Sequence, residues 1–236
     1  MITLALDTST SQGGVALLRG HQVLSREIWR REKSHSEFLT PTIEACLRTT
    51  GLLFSQIDLL AVGRGPGSFT GIRIAVNAAR SLSYALKKPI RAFTTHEILA
   101  MGTLASELPL VALVNAHKNL IYTQIFRHRA GRWQPDEEIA PLSLDQLAQL
   151  IQTPHLCVGD AFEEYRRFFA PELLQNLLRT EPALDYPLPE VLGLMAAELG
   201  LESPTELGAA PTMDWNELQA LYIRASGAEE SLGARQ

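Results

Sequence analysis

Gly63-Arg64-Gly65-Pro66-Gly67-Ser68-Phe69-Thr70-Gly71 is the stretch that decides the reading of this chain. It follows an apolar, strand-like segment, Leu59-Leu60-Ala61-Val62, and precedes a helical pattern over 72–86. Its glycines admit backbone conformations closed to other residues, and Pro66 fixes one turn angle and removes an amide donor. Strand, tight glycine turn and helix N-terminus in that order suit an anion cradle, with Gly65, Gly67 and Ser68 as candidate phosphate contacts. They suit equally a turn that only docks the helix on a sheet. The turn is not a P-loop, because no Gly-Lys-Ser/Thr closes it, and its glycine spacing is not that of a dinucleotide site.

Upstream, Ile2–Asp7, Val15–Leu18 and Val23–Trp29 read as an antiparallel meander, with a polar turn from Thr8 to Gly14. Asp7, Thr8 and Ser9 place a carboxylate at a strand end, followed by hydroxyls. That order fits either a Mg²⁺–phosphate contact or an Asx turn closing a hairpin. A helix follows, with Ser34 and Glu37 at capping-box spacing and Leu39, Ile43, Cys46 and Leu47 on one face. Pro41 either kinks this helix or makes Thr40 its cap. His35 has Phe38 and Leu39 one turn on, so a metal pair is not formed there. Helix 72–86 is apolar on two faces, Ile72/Val76/Ala79/Ser83/Leu86 and Ile74/Ala75/Ala78/Leu82/Ala85, so it is buried between layers or in an interface.

Downstream, Pro89–Phe93 is a strand and Thr95–Ala105 a short helix, which closes an α/β unit of residues 1–105. A second unit, 106–225, holds strands at 110–114, 120–126 and 155–158, helices at 143–151, 161–169 and 191–199, and mixed helix and strand over 212–224. The tail 226–236 reads as flexible, and no internal repeat is visible. The 236 residues carry a net charge of -5, so the chain is not built to hold a phosphate backbone by its own field. Cys46 and Cys157 stand apart with no CxxC, which suits reduced, buried thiols in a cytoplasm. The sequence shows no targeting segment and no membrane-length apolar run.

Three strings, ALDTSTSQGGVALL, HSEFLTPTIEACL and AVGRGPGSFTGIRIAVNAARSLSYAL, resemble the TsaB (YeaZ) family across residues 2–100; VALVNAHKNLIYTQIF, CVGD and ALYIR resemble it more loosely. The resemblance implies an actin-like, sugar-kinase-like fold of two α/β lobes with mixed sheets. It implies a non-catalytic but required subunit in making threonylcarbamoyladenosine on tRNA. This subunit pairs with the metal-bearing paralogue TsaD, is joined by the ATPase TsaE, and meets tRNA only through the complex. ATP and metal are then expected on the partner subunits, with none held tightly by this chain. The HxxxH metal pair of the TsaD type would fall on His35 and Leu39, so its second ligand is missing. The family's partner contact uses the first two helices, which points to His35, Leu39, Ile43, Cys46, Ile72, Val76, Ala79 and Ser83. A homodimer through the same helices is expected when the paralogue is absent. The family has an aspartate and an arginine where Asn115 and His117 stand. The rival reading is an independent Mg-ATP-dependent kinase or ATPase working through Asp7 and the glycine loop.

Overall fold

The computed structural model describes residues 1–30, 35–198 and 212–223. The first sheet holds β1 (Ile2–Asp7), β2 (Gln12–Arg19), β3 (Gln22–Arg30), β4 (Leu59–Gly63) and β5 (Ile90–Phe93), in the order β3-β2-β1-β4-β5. The first three strands form the meander read from the sequence, and β4 and β5 join parallel to β1. The second sheet holds β6 (Leu110–Asn115), β7 (Ile121–Arg129), β8 (Arg132–Pro135), β9 (Ala140–Leu142), β10 (His155–Val158) and β11 (Leu177–Arg179). Its order is β8-β7-β6-β10-β11, with β9 also on β7. β7 runs antiparallel to β6 and β8 antiparallel to β7, while β10 and β11 run parallel to β6. Both sheets therefore follow one plan. The lobe's first strand sits in the middle, its hairpin partners lie on one side, and its two crossover strands lie on the other.

The central strands β1, β2, β4 and β6 are buried on both faces, so they read as apolar runs. Alternate residues divide between two cores. Leu4, Leu6, Leu60 and Val62 face α1 (His35–Thr50) and α2 (Phe69–Leu86), while Ala5, Ala16, Leu59 and Ala61 face the other way. On that second side lie α3 (Thr95–Met101) and α7 (Pro189–Glu198). α3 gives Ile98 to the first sheet and Leu99 and Ala100 to the second, so this short helix is buried on two sides. The second sheet's outer face is covered by α4 (Leu144–Leu150), α5 (Ala161–Tyr165) and α6 (Pro171–Asn176).

Several expectations change. α1 runs through Pro41, so Thr40 is not its cap, and Ser34 lies outside the described residues. The helix expected over 161–169 stops at Tyr165 and continues as a 3-10 turn, Arg166–Phe168. Residues 212–223 form neither helix nor strand beyond one antiparallel bridge, Met213 to Ile90. That segment and α7, expected in the second lobe, pack on the first sheet: Leu192 and Ala196 join one core and Leu218 the other. The tail 226–236 lies outside the described residues.

Candidate functional site

The common plan brings the ends of β1 and β6 to opposite walls of a cleft of about 400 Å³. Its first wall is Ser9, Thr10, Ser11 and Ser68. Its second is Val114, Asn115, His117, Asp160, Glu164 and Tyr186. The two strand ends turn alike. Asp7 Oδ1 accepts from Ser9 N at 3.0 Å, and Asn115 Oδ1 accepts from His117 N at 2.8 Å. Both are Asx turns, each closing a hairpin. Asp7 Oδ1 also accepts from Ser9 Oγ, which in turn receives a bond from Thr95 Oγ1 at 2.9 Å. The other oxygen, Oδ2, is buried without a hydrogen bond among the described residues and lies over Gly63, where any side chain would overlap it. Burial pushes the Asp7 carboxyl up to about 7, against the pull of the two Ser9 bonds. Across the cleft, burial raises Asp160 to about 6. The Asn115 amide opposes this, while the neighbouring Asp185 and Glu164 carboxylates add to it.

The glycine loop closes on this chain's own turn. Ser68 N donates to Ser9 O at 2.7 Å, and Thr8 Oγ1 donates to Gly71 O at 2.7 Å. Ser68 Oγ caps α2 by accepting from Gly71 N. Gly71 must be glycine because a Cβ there would overlap the Thr8 carbonyl. Gly65 O accepts from Thr95 N, and Arg64 O accepts from Leu221 N. Of the six candidate phosphate contacts, only Ser9 and Ser68 line the cleft. Asp7, Thr8 and Gly65 are buried in this chain's own packing, and Gly67 is half-buried against Ser9 O, outside the cleft lining.

The same test applies to the nucleotide that this fold implies. The amides of Ser9, Ser68, Gly71, Asn115, His117 and Gly159 already donate to protein oxygens. Two carboxylates, Asp160 and Glu164, line the second wall, and among the described residues neither lysine nor arginine lines either wall. This donor set does not suit a triphosphate.

All eight expected partner-facing residues are buried in this chain's own core, and this is a correction. Leu39, Ile43, Cys46, Ile72, Val76 and Ala79 form one cluster with the first sheet. Ser83 donates to Lys88 O. His35 accepts the Trp29 indole N–H at Nδ1 and bonds Thr10 O through Nε2, so both ring nitrogens are committed and burial keeps its pKa low. Among the described residues no group of three or more His, Cys, Asp or Glu could hold a metal ion. No described helix is long and apolar enough to cross a membrane. Sequence reasoning passed over Asp160, Glu164 and Tyr186. The visible signal was Cys157-Val158-Gly159-Asp160 before a helix, which repeats the strand–glycine–helix order of 59–72.

Two sheets of one topology, with a cleft between their equivalent strand ends, define a protein of the actin-like, sugar-kinase-like fold. The family model described as TsaD, tRNA N6-adenosine threonylcarbamoyltransferase, matches residues 22–203. The tRNA threonylcarbamoyladenosine biosynthesis protein TsaB of Haemophilus influenzae is 38% identical over 99% of this chain and 98% of its own length. The Bacillus subtilis protein of the same name is 30% identical over 59% of this chain and 62% of its own length. The solved structure of YeaZ from Pseudomonas aeruginosa superimposes with a TM-score of 0.75 at 23% identity, over 94% of this chain and 99% of that one, a likeness of fold. The chain belongs to the TsaB family of tRNA threonylcarbamoyladenosine biosynthesis proteins, homologous to TsaD. The family is the accessory, non-catalytic one in that synthesis.

Proposed function

We propose that this chain pairs with a TsaD-type paralogue in the cytoplasm through the outer faces of α1 and α2 and supports its active state. ATP and metal ion then sit on the partner subunits, a TsaE-type ATPase joins the complex, and tRNA is met through the complex. The observation that carries this reading is the outer face of α2. Thr70, Ser81 and Ala85 are exposed there, Ile74 and Ala78 are only partly buried, and the helix has no carboxylate. Small side chains permit close helix approach, and α1 lies alongside with Pro41 exposed and Ala45 half-buried. The rival reading, a self-sufficient Mg-ATP enzyme, is disfavoured by a glycine loop in which the Arg64, Ser68 and Gly71 amides serve this chain's own carbonyl and hydroxyl groups.

Co-elution with the TsaD-type protein of the same cell on a sizing column tests the pairing. A joint peak is expected for the wild type, and Ser81→Arg or Ala85→Arg should abolish it while leaving the circular dichroism unchanged. A joint peak that survives both substitutions would place the contact elsewhere. The same columns read the homodimer, which should fail in the same variants.

A further inference from the structure

We propose that the flank of α2 facing the 212–223 segment is an RNA-binding groove that takes a single-stranded stretch of the tRNA substrate; this deepens the reading above and rests on it for the identity of the RNA. The groove has a volume of about 470 Å³ and is lined by Phe69, Arg73, Asn77, Arg80, Gln219 and Tyr222 over an apolar floor. Three cations lie along this flank in succession, each against an aromatic ring. Arg73 Cζ is 5.4 Å from the Phe69 centroid, Arg80 Cζ is 5.9 Å from Trp215, and Lys87 Nζ is 4.2 Å from Tyr84. The rings also meet one another, Phe69 with Tyr222 at 4.7 Å and Tyr84 edge-on to Trp215 at 5.3 Å. Tyr84, Trp215 and Tyr222 remain exposed.

A guanidinium resting on a ring is held in place while its N–H edge stays available to phosphate oxygens. Exposed aromatic faces beside such cations are the elements on which unpaired bases stack. Among the described residues none of the three cations is within ion-pair distance of a carboxylate. Among the described residues no carboxylate lines the groove. The nearest in sequence, Asp214 and Glu217, close their own turn, the Asp214 amide donating to Glu217 Oε2. Asn77 and Gln219 add neutral donors and acceptors of the kind that read base edges. In a chain of net charge -5, a flank with three cations and, among the described residues, no lining acid favours a polyanion over the average protein surface.

The test is titration of a transcribed tRNA into the reconstituted complex at several salt concentrations, with wild type, the Arg73→Gln/Arg80→Gln double variant and Tyr222→Ala. Both altered surfaces are solvent-facing, and circular dichroism and co-elution confirm fold and pairing. The double variant should lower the slope of log affinity against log salt by about one to two, the mark of two lost phosphate contacts. Tyr222→Ala should weaken binding by roughly fivefold or more with the slope unchanged, as loss of a stacked base does. Wild-type affinity and slope in a folded, paired double variant would overturn the proposal. So would intact tRNA binding with lost pairing, which would make the flank a protein contact. Should the wild type not pair at all, only the pairing reading fails. An oligoribonucleotide of anticodon-loop sequence, titrated into the chain alone, then decides: binding lost in the double variant upholds the groove, and no binding sinks it.

Discussion

Asp7 was legible as a special residue because a carboxylate closing an apolar strand is costly to bury. What it does there was not legible, since the sequence does not say whether its oxygens face a ligand or the next turn. Its carboxyl is held neutral up to about 7 by burial, well above the ordinary carboxylate range. The folded state therefore keeps a proton that the unfolded state has released, and stability falls as pH rises from about 4 to about 7. Asp7→Asn keeps an acceptor for Ser9 and removes the ionisation. Thermal melts should show the variant matching the wild type at pH 4 and exceeding it at pH 8. An equal pH dependence in both would mean that Asp7 is ionised and solvated in the native protein. His96 works in the opposite sense: buried, with Nε2 on Tyr122 O and its pKa lowered to about 4, it withdraws stability as pH falls below about 6.5. The two buried cysteines needed no structure to be read as inert thiols. Burial raises both, Cys157 to about 12.

At the scale of the element, α2 shows what periodicity settles and what it leaves open. The sequence placed a helix over 72–86 and gave it two apolar faces; the helix starts earlier, at Phe69, because the Ser68 hydroxyl caps it. The stripe chosen for the partner proved to be the stripe against the sheet. Alanine and serine sit on both faces, and spacing alone carries no sign for inside and outside. The start of the helix was hidden because its first turn reads as loop: Ser68 and Gly71 are there for contacts with the 7–10 turn. Ser68→Ala should cost about 1 kcal/mol in chemical unfolding, the ordinary worth of such a cap. Gly71→Ala should cost more, about 1–3 kcal/mol, because the new methyl group must displace the Thr8 carbonyl. A smaller loss for Gly71→Ala than for Ser68→Ala would show that the turn and the helix are not locked together as the hydrogen bonds indicate.

At the scale of the whole molecule, the duplicated sheet plan left no repeat in the sequence. Topology constrains which faces are apolar, not which apolar residues occupy them: Leu4 and Leu6 of β1 resemble Val111 and Leu113 of β6 only in facing the helices that cover each sheet's outer side. The division into lobes at about residue 105 was read from a Pro-containing connection, and a linear reading cannot show a chain that crosses back. α7 covers one face of the first sheet with Leu192 and Ala196. Leu218, 1% exposed, plugs the other, and Met213 pairs with the edge at Ile90. A fragment of residues 1–105 therefore carries its own meander, α1, α2, α3 and glycine loop but strips the cover of Leu192 and Ala196 from the cluster of Ala5, Ala16, Leu18, Leu59, Ala61 and Phe93. At about 25 cal/mol per Å² of uncovered apolar surface, losing several such side chains removes an amount comparable with the whole stability of a domain. The fragment should thus unfold without a cooperative transition and bind a hydrophobic dye, whereas the full chain should melt sharply and bind little. A sharp melt of the fragment at a temperature near that of the full chain would mean that α7 and the 212–223 segment only dress a lobe already stable by itself.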